Sequence, residues 1–231
     1  INQIKDLDLP FLKAASIHCG EPYFLEALSK LDKPIFLSTG LSNMDTVIKA
    51  SKILKKRLKN KFIILQCTSN YPSSLEESNI NVIDSYREEG FNVGFSDHTS
   101  NNLSSILALS KGASVFEKHI TLNKKSSGPD HYASLNPEEF SRYVQDLRNA
   151  YTALGSKTKM LTLSERTNFS QMKRSMYINK DLYKGHILSI KDIVFMRPYS
   201  KSSKISDIDL FLNKEISKDV KKYTLLNKKL I

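Results

Sequence analysis

Two short apolar runs each end in a polar cluster that closes on a histidine. Val93–Phe95 leads into Ser96-Asp97-His98, and Val115–Phe116 leads into Glu117-Lys118-His119. Paired imidazoles beside carboxylates suit a divalent cation, since neutral imidazole is a good donor to such ions and carboxylate adds charge. A lone histidine at such a place is ordinarily a hydrogen-bonded structural residue. Two imidazoles also need a carboxylate or waters to complete an open site. Asp97 and Glu117 adjoin the histidines, but successive strand residues point to opposite faces, so neither need reach the cation. Asp130 and His131 follow on a loop within reach of the same place.

A second set comprises Lys13, Ser16, Ser38, Thr39, Ser69 and Ser96. A lysine among several hydroxyls suits a phosphate or carboxylate, held by charge and by charge-assisted hydrogen bonds. Taken singly, each serine also reads as a turn or helix-cap residue. No Walker loop or dinucleotide fingerprint occurs, so nucleotide binding has no support. Cys19 and Cys67 lack a histidine at motif spacing; Cys67 is expected to pack beneath the site.

These residues recur at the ends of strand-like runs, near positions 16, 38, 68, 98 and 119. In a parallel α/β fold every strand emerges at its C-terminal end on one side, so the polar tips should converge. Between the runs lie helical patterns: one entered at Pro22, one from Asn43, one over Glu77–Glu89 stopped by Gly90, and one near Leu103–Lys111 before Gly112. A last one is capped by Asn136, with Phe140, Tyr143, Val144, Leu147 and Tyr151 as its core face, and ends at Gly155. Five strand–helix units suit a βα barrel or a doubly wound sheet. They cannot close a (β/α)8 barrel, so about three units are expected ahead of Ile1. Ile1 is not methionine, which suggests a processed chain or a piece. Residues 156–171 read as a polar linker. Residues 172–231 read as a small β-rich domain with strands at Ser175–Ile178, Ile187–Ile190 and Ile193–Met196.

The composition, 40% apolar and 26% charged over 231 residues, is that of an ordinary globular protein. No apolar run approaches a membrane span and no signal peptide opens the chain. Two cysteines make no disulfide framework, so a reducing cytoplasm is expected. The net charge of +11 would suit a nucleic acid or an acidic substrate. Lys49, Lys52, Lys55 and Lys56, however, lie on the polar face of one helical pattern, as solvated surface does, and neither nucleic acid nor membrane is expected as a partner.

The series LKAAS (12–16), KPIFLSTG (33–40), LQCTSNYP (65–72), VGFSDHT (93–99), EKHITL (117–122), GPDHYASLNPEEF (128–140) and ALGS (153–156) resembles the sialic acid synthase family in order and spacing. The tail, from KRSMYINKDLYKGHIL to MRP (173–198), resembles that family's C-terminal antifreeze-like (SAF, β-clip) domain.

The resemblance implies a (β/α)8 TIM-type barrel, of which residues 1–155 are the last five units. A linker over 156–171 and the antifreeze-like domain over 172–231 would follow. It implies a synthase that condenses phosphoenolpyruvate with N-acetylmannosamine or a related N-acyl amino sugar and releases phosphate, using Mn2+ or Mg2+. His98 and His119 would hold the metal. Lys13, Ser16, Ser38, Ser69 and Ser96 would line the phosphoenolpyruvate site, and Tyr71 and Asp130 would face the sugar. Arg197 would reach the partner subunit's site in a domain-swapped homodimer. The sequence departs from the family at Ile17-His18-Cys19 and at Tyr199-Ser200-Lys201, where the family carries Gly-Glu and a Gly-rich turn. Alternatives are a legionaminate or pseudaminate synthase, another metal-dependent phospho-acid lyase or aldolase, and an inactive fragment. The GPDH loop favours the neuraminate or legionaminate branch.

Overall fold

The computed structural model describes residue 4 and residues 7–231. The chain divides into two compact units, Ile1–Gly155 and Ser156–Ile231. In the first, strands β1 (Leu12–Ala14), β2 (Ile35–Ser38), β3 (Phe62–Cys67), β4 (Val93–Asp97) and β5 (Phe116–Lys118) alternate with helices. These are α1 (Pro22–Ser29), α2 (Met44–Leu58), α3 (Val82–Glu88), α4 (Leu103–Ser110) and α5 (Pro137–Leu154). All four strand pairings are parallel and the spatial order is β1-β2-β3-β4-β5. Each new strand adds beside the last, always in the same direction. A doubly wound sheet reverses that order at its switch point, so this curled sheet is a barrel wall, a half-barrel.

Strand parity decides what faces where. Leu12, Ala14, Ile35, Leu37, Phe62, Ile64, Val93 and Phe95 are buried in one core with Leu25, Leu28, Val47, Leu54 and Ile83 from the helices. Truncating a fully buried leucine there costs about 2–5 kcal/mol. The intervening positions face the other side of the sheet, and at the strand tips they are polar. Helix entry is set locally. The Asn43 side chain accepts from the Thr46 backbone at the start of α2. Asn136 and Glu139 form a reciprocal capping box on α5, with Pro137 in its first turn.

Two expectations for this unit are corrected. The helix expected over Glu77–Glu89 is broken: a 3-10 turn covers Glu76–Ser78, Asn79 adopts the left-handed conformation, and α3 begins only at Val82. Asparagine tolerates that conformation better than most residues, and one such residue suffices to end a helix. On α5 only Tyr143 of the expected core face is buried, while Tyr151 is 71% exposed.

In the second unit, part of the stretch expected as a linker forms helix α6 (Leu163–Met172), opened by a Thr162–Glu165 capping box. None of its residues is buried, which is why it shows no apolar period. Strand β6 (Ser175–Ile178) pairs antiparallel with β7 (Ile193–Met196). Ile187–Ile190 is not a strand. Ile187 makes a single bridge to Glu215, and a 3-10 turn over Ile190–Asp192 follows, capped by Ser189. The core here is Met176, Ile178, Leu182, Leu188, Phe211, Ile216 and Leu226. No described helix is long and apolar enough to cross a membrane.

Candidate functional site

The strand tips of the first unit enclose a cavity of about 490 Å3, lined by Lys13, Ser16, Ser38, Ser69, Ser96 and Glu117 together with Cys67, Tyr71, His98 and His119. The shared parity of Ser96 and His98 on β4, and of Glu117 and His119 on β5, turns these side chains the same way. Asp97 and Lys118 turn to the opposite face.

The two imidazoles approach edge to face with centroids 5.2 Å apart, and the Tyr71 ring lies 4.2 Å from His98 and 5.3 Å from His119. His98 Nδ1 lies 2.7 Å from the Thr68 carbonyl oxygen, which can only accept, so a proton resides on Nδ1 and, in the neutral ring, Nε2 keeps its lone pair. An imidazole oriented through its second nitrogen by a carbonyl is the usual arrangement of a metal-binding histidine. Burial lowers the His98 pKa, but contact with the Cys67 thiol and the Thr68 carbonyl outweighs it and the net shift is upward. Burial, then repulsion from His98, lowers that of His119, favouring its neutral form. With metal–nitrogen bonds of about 2.1 Å, the ring separation is compatible with two imidazoles on one ion. Among the described residues no group of three or more His, Cys, Asp or Glu side chains is placed to hold a metal ion. The two imidazoles would suit a divalent ion only in an open site completed by water or substrate oxygens.

The anion side is built around Lys13, whose Nζ lies 3.2 Å from Glu117 Oε2 and donates to the Ala14 carbonyl. Ser96 donates to Glu117 Oε1 at 2.7 Å. Ser16 Oγ accepts from the Gly40 backbone at 3.0 Å. Gly40 is required here, since a Cβ would stand 2.0 Å from Ser69 Oγ and 2.9 Å from Ser16 Oγ. Ser38 is 2% exposed, and its hydroxyl is the one buried side-chain polar atom without a partner among the described residues. Leaving a hydroxyl so costs about 1–3 kcal/mol, which a bound acceptor would recover.

Asp130 approaches from its loop, with Oδ2 4.0 Å from His119 Nδ1. His131 turns away to Thr121 Oγ1 at 2.7 Å. Arg197 belongs to the second unit, where its Nε donates to the Met172 carbonyl at 3.1 Å. Two participants were not expected. Glu117 faces the cavity, a placement its shared parity with His119 already contained. Cys67 lines the cavity with Sγ 4.0 Å from His98 Nδ1 and 3.5 Å from Ser16 Oγ. Burial raises the Cys67 pKa, but hydrogen bonds from His98 and the serines outweigh it and the net shift is downward. Cys67 and His98 meet only across the β3–β4 pairing, so no local motif announces them.

A barrel wall whose tips gather two imidazoles, a lysine and an unsatisfied buried hydroxyl defines a class: a βα-barrel protein with a polar cavity at its strand tips. The chain belongs to the NeuB family, whose model matches residues 1–159. It is 33% identical over 229 residues to the N,N'-diacetyllegionaminic acid synthase of Campylobacter jejuni, covering 98% of this chain and 68% of that protein. It is 34% identical over 221 residues to the pseudaminic acid synthase of the same species, covering 94% and 63%. The crystal structure of an N-acetylneuraminic acid synthetase from Leptospira borgpetersenii, in complex with citrate, superposes with a TM-score of 0.67 at 29% identity, covering 73% of this chain and 59% of that one. The chain thus spans about two thirds of the length of these relatives.

Proposed function

We propose that this chain carries the metal and phosphoenolpyruvate sites of a nonulosonate synthase. The enzyme condenses phosphoenolpyruvate with N-acetylmannosamine or a related N-acyl amino sugar and releases phosphate. The observation that carries the reading is the unpartnered, buried hydroxyl of Ser38, a residue lining a cavity shared with Lys13 and two converging imidazoles. In this reading Lys13 exchanges Glu117 for the acidic substrate, and Ser16, Ser38, Ser69 and Ser96 supply the surrounding hydroxyls. His98 and His119 hold Mn2+ or Mg2+. Such an ion, when bound, polarises an aldehyde oxygen as a Lewis acid. Tyr71 and Asp130 face the sugar. The enol carbon of phosphoenolpyruvate bonds to the aldehyde carbon, water adds to the phosphate-bearing carbon, and phosphate leaves.

The five observed units are then the last of a (β/α)8 barrel, and the second unit is an antifreeze-like domain. Its Arg197 enters the partner subunit's site in a domain-swapped, cytoplasmic homodimer. The GPDH loop favours a neuraminate or legionaminate product over pseudaminate. The test is phosphate release by the full-length protein, which should require phosphoenolpyruvate, an N-acylmannosamine-type sugar and a divalent metal together. Release without sugar would favour a lyase instead, and no release with any N-acyl sugar would contradict the reading.

A further inference from the structure

Behind the cavity, on the opposite face of the same two strand tips, Asp97 and Lys118 form an ion pair at 3.1 Å whose side chains are 0% and 2% exposed. They are register partners on β4 and β5, each one residue before a cavity-lining histidine. Both charged groups have further hydrogen-bond partners. Asp97 Oδ1 accepts from the Thr99 backbone at 2.8 Å and the Thr99 hydroxyl at 2.7 Å. Oδ2 accepts from Ser105 at 2.7 Å, and Ser105 is bonded in turn to the Tyr143 hydroxyl on α5 at 2.7 Å. Lys118 also donates to the Thr99 carbonyl.

Stability alone does not account for this arrangement. Removing two charges from water costs several kcal/mol per ion, and a buried pair commonly gains no more than packed apolar residues of the same shape. What the pair does supply is a fixed link between β4 and β5 at their last ladder pair, beyond which the backbones bond to other segments: the His98 carbonyl accepts from the Ser73 backbone at 2.9 Å and the His119 carbonyl from the Leu135 backbone at 3.0 Å. β5 is three residues long, and its ladder to β4 ends at Asp97↔Lys118. The residues just beyond are His98 and His119.

We infer that the Asp97–Lys118 pair, braced by Ser105 and Tyr143, is a positioning device that sets the spacing of His98 and His119 for two-point binding of a divalent cation. This rests on the proposed reading of those imidazoles as metal-holding. Neither Asp97 nor Lys118 faces the cavity, so neither touches substrate or ion.

The experiment is Mn2+ binding to the full-length protein, followed by loss of the free-ion electron paramagnetic resonance signal, with thermal stability measured on the same samples. The double variant Asp97→Asn/Lys118→Met leaves no buried unpaired charge. It should keep a melting temperature within about 5 °C of the parent while binding Mn2+ about tenfold or more weakly, as loss of an orienting contact behind a metal ligand does. Binding equal to the parent in a folded double variant would overturn the inference. Should that variant not fold, Tyr143→Phe removes only the bracing hydroxyl. About threefold weaker binding is expected from it, and an unchanged affinity would overturn the inference equally. His98→Ala separates the two levels: if parent and His98→Ala bind Mn2+ alike, the metal reading itself falls, and this inference with it.

Discussion

The two units differ sharply in charge. Residues 1–155 carry 18 lysines and arginines against 17 aspartates and glutamates, whereas residues 156–231 carry 17 against 7. Nearly all of the +11 therefore belongs to the smaller unit, and the unit with the candidate chemistry is close to neutral. Its lysines are drawn into pairs near the strand tips and loops, as with Lys13–Glu117, Lys111–Asp84 and Lys118–Asp97. The units also use a buried aspartate differently. Asp97 meets a lysine as buried as itself. Asp192 meets Lys180 and His186, whose side chains are 60% and 36% exposed, and closes the Ser189 cap. One aspartate braces a site; the other ties down a turn. Whole-chain charge thus says little about where an anionic substrate would bind.

Damage at the strand tips of the first unit should therefore abolish chemistry, and damage around Asp192 in the second should soften a domain. The largest effect is expected from His98→Ala, which should lower metal-dependent phosphate release by the full-length protein at least ~100-fold. Gly40→Ala pushes a methyl group against Ser69 and Ser16. It should raise the KM for phosphoenolpyruvate about tenfold with a smaller change in kcat, because a binding contact is displaced.

Asp192→Asn should cost the second unit about 1–3 kcal/mol in denaturant unfolding and leave Mn2+ affinity unchanged. Burial alone would raise the Asp192 pKa, but the hydrogen bonds from His186, Lys180 and Ser189 outweigh it and hold the carboxyl far below its ordinary range. A depressed folded-state pKa adds stability that is complete above the unfolded value of about 3.9 and fades as pH falls below it. The Asn variant should accordingly lose most of its deficit relative to the parent in strong acid. The smallest effect belongs to Lys180→Gln, whose exposed partnership should be worth no more than about 1 kcal/mol.

Much of the site was visible before the fold. An apolar run that turns polar at its end marks a buried strand emerging from a sheet, and this reading brought His98, His119, Ser38 and Lys13 to one side. Glu117 was not foreseen: it stands two residues before His119 and so shares its face, against the expectation that it need not reach the site. Other features depend on register between distant segments. Cys67 meets His98 only because β3 pairs with β4, and Asp97 meets Lys118 only because β4 pairs with β5. The break at Asn79 was hidden by an apolar pattern that runs past it, and α6 by having no buried face.

The central claim is that His98 and His119 hold one divalent cation beside the anion cradle. Pulsed electron paramagnetic resonance of Mn2+ bound to the full-length protein counts directly coordinated nitrogens. The account predicts two imidazole nitrogens, falling to one in His119→Ala. A bound Mn2+ showing no coordinated nitrogen, or a signal unaltered in that variant, would contradict it.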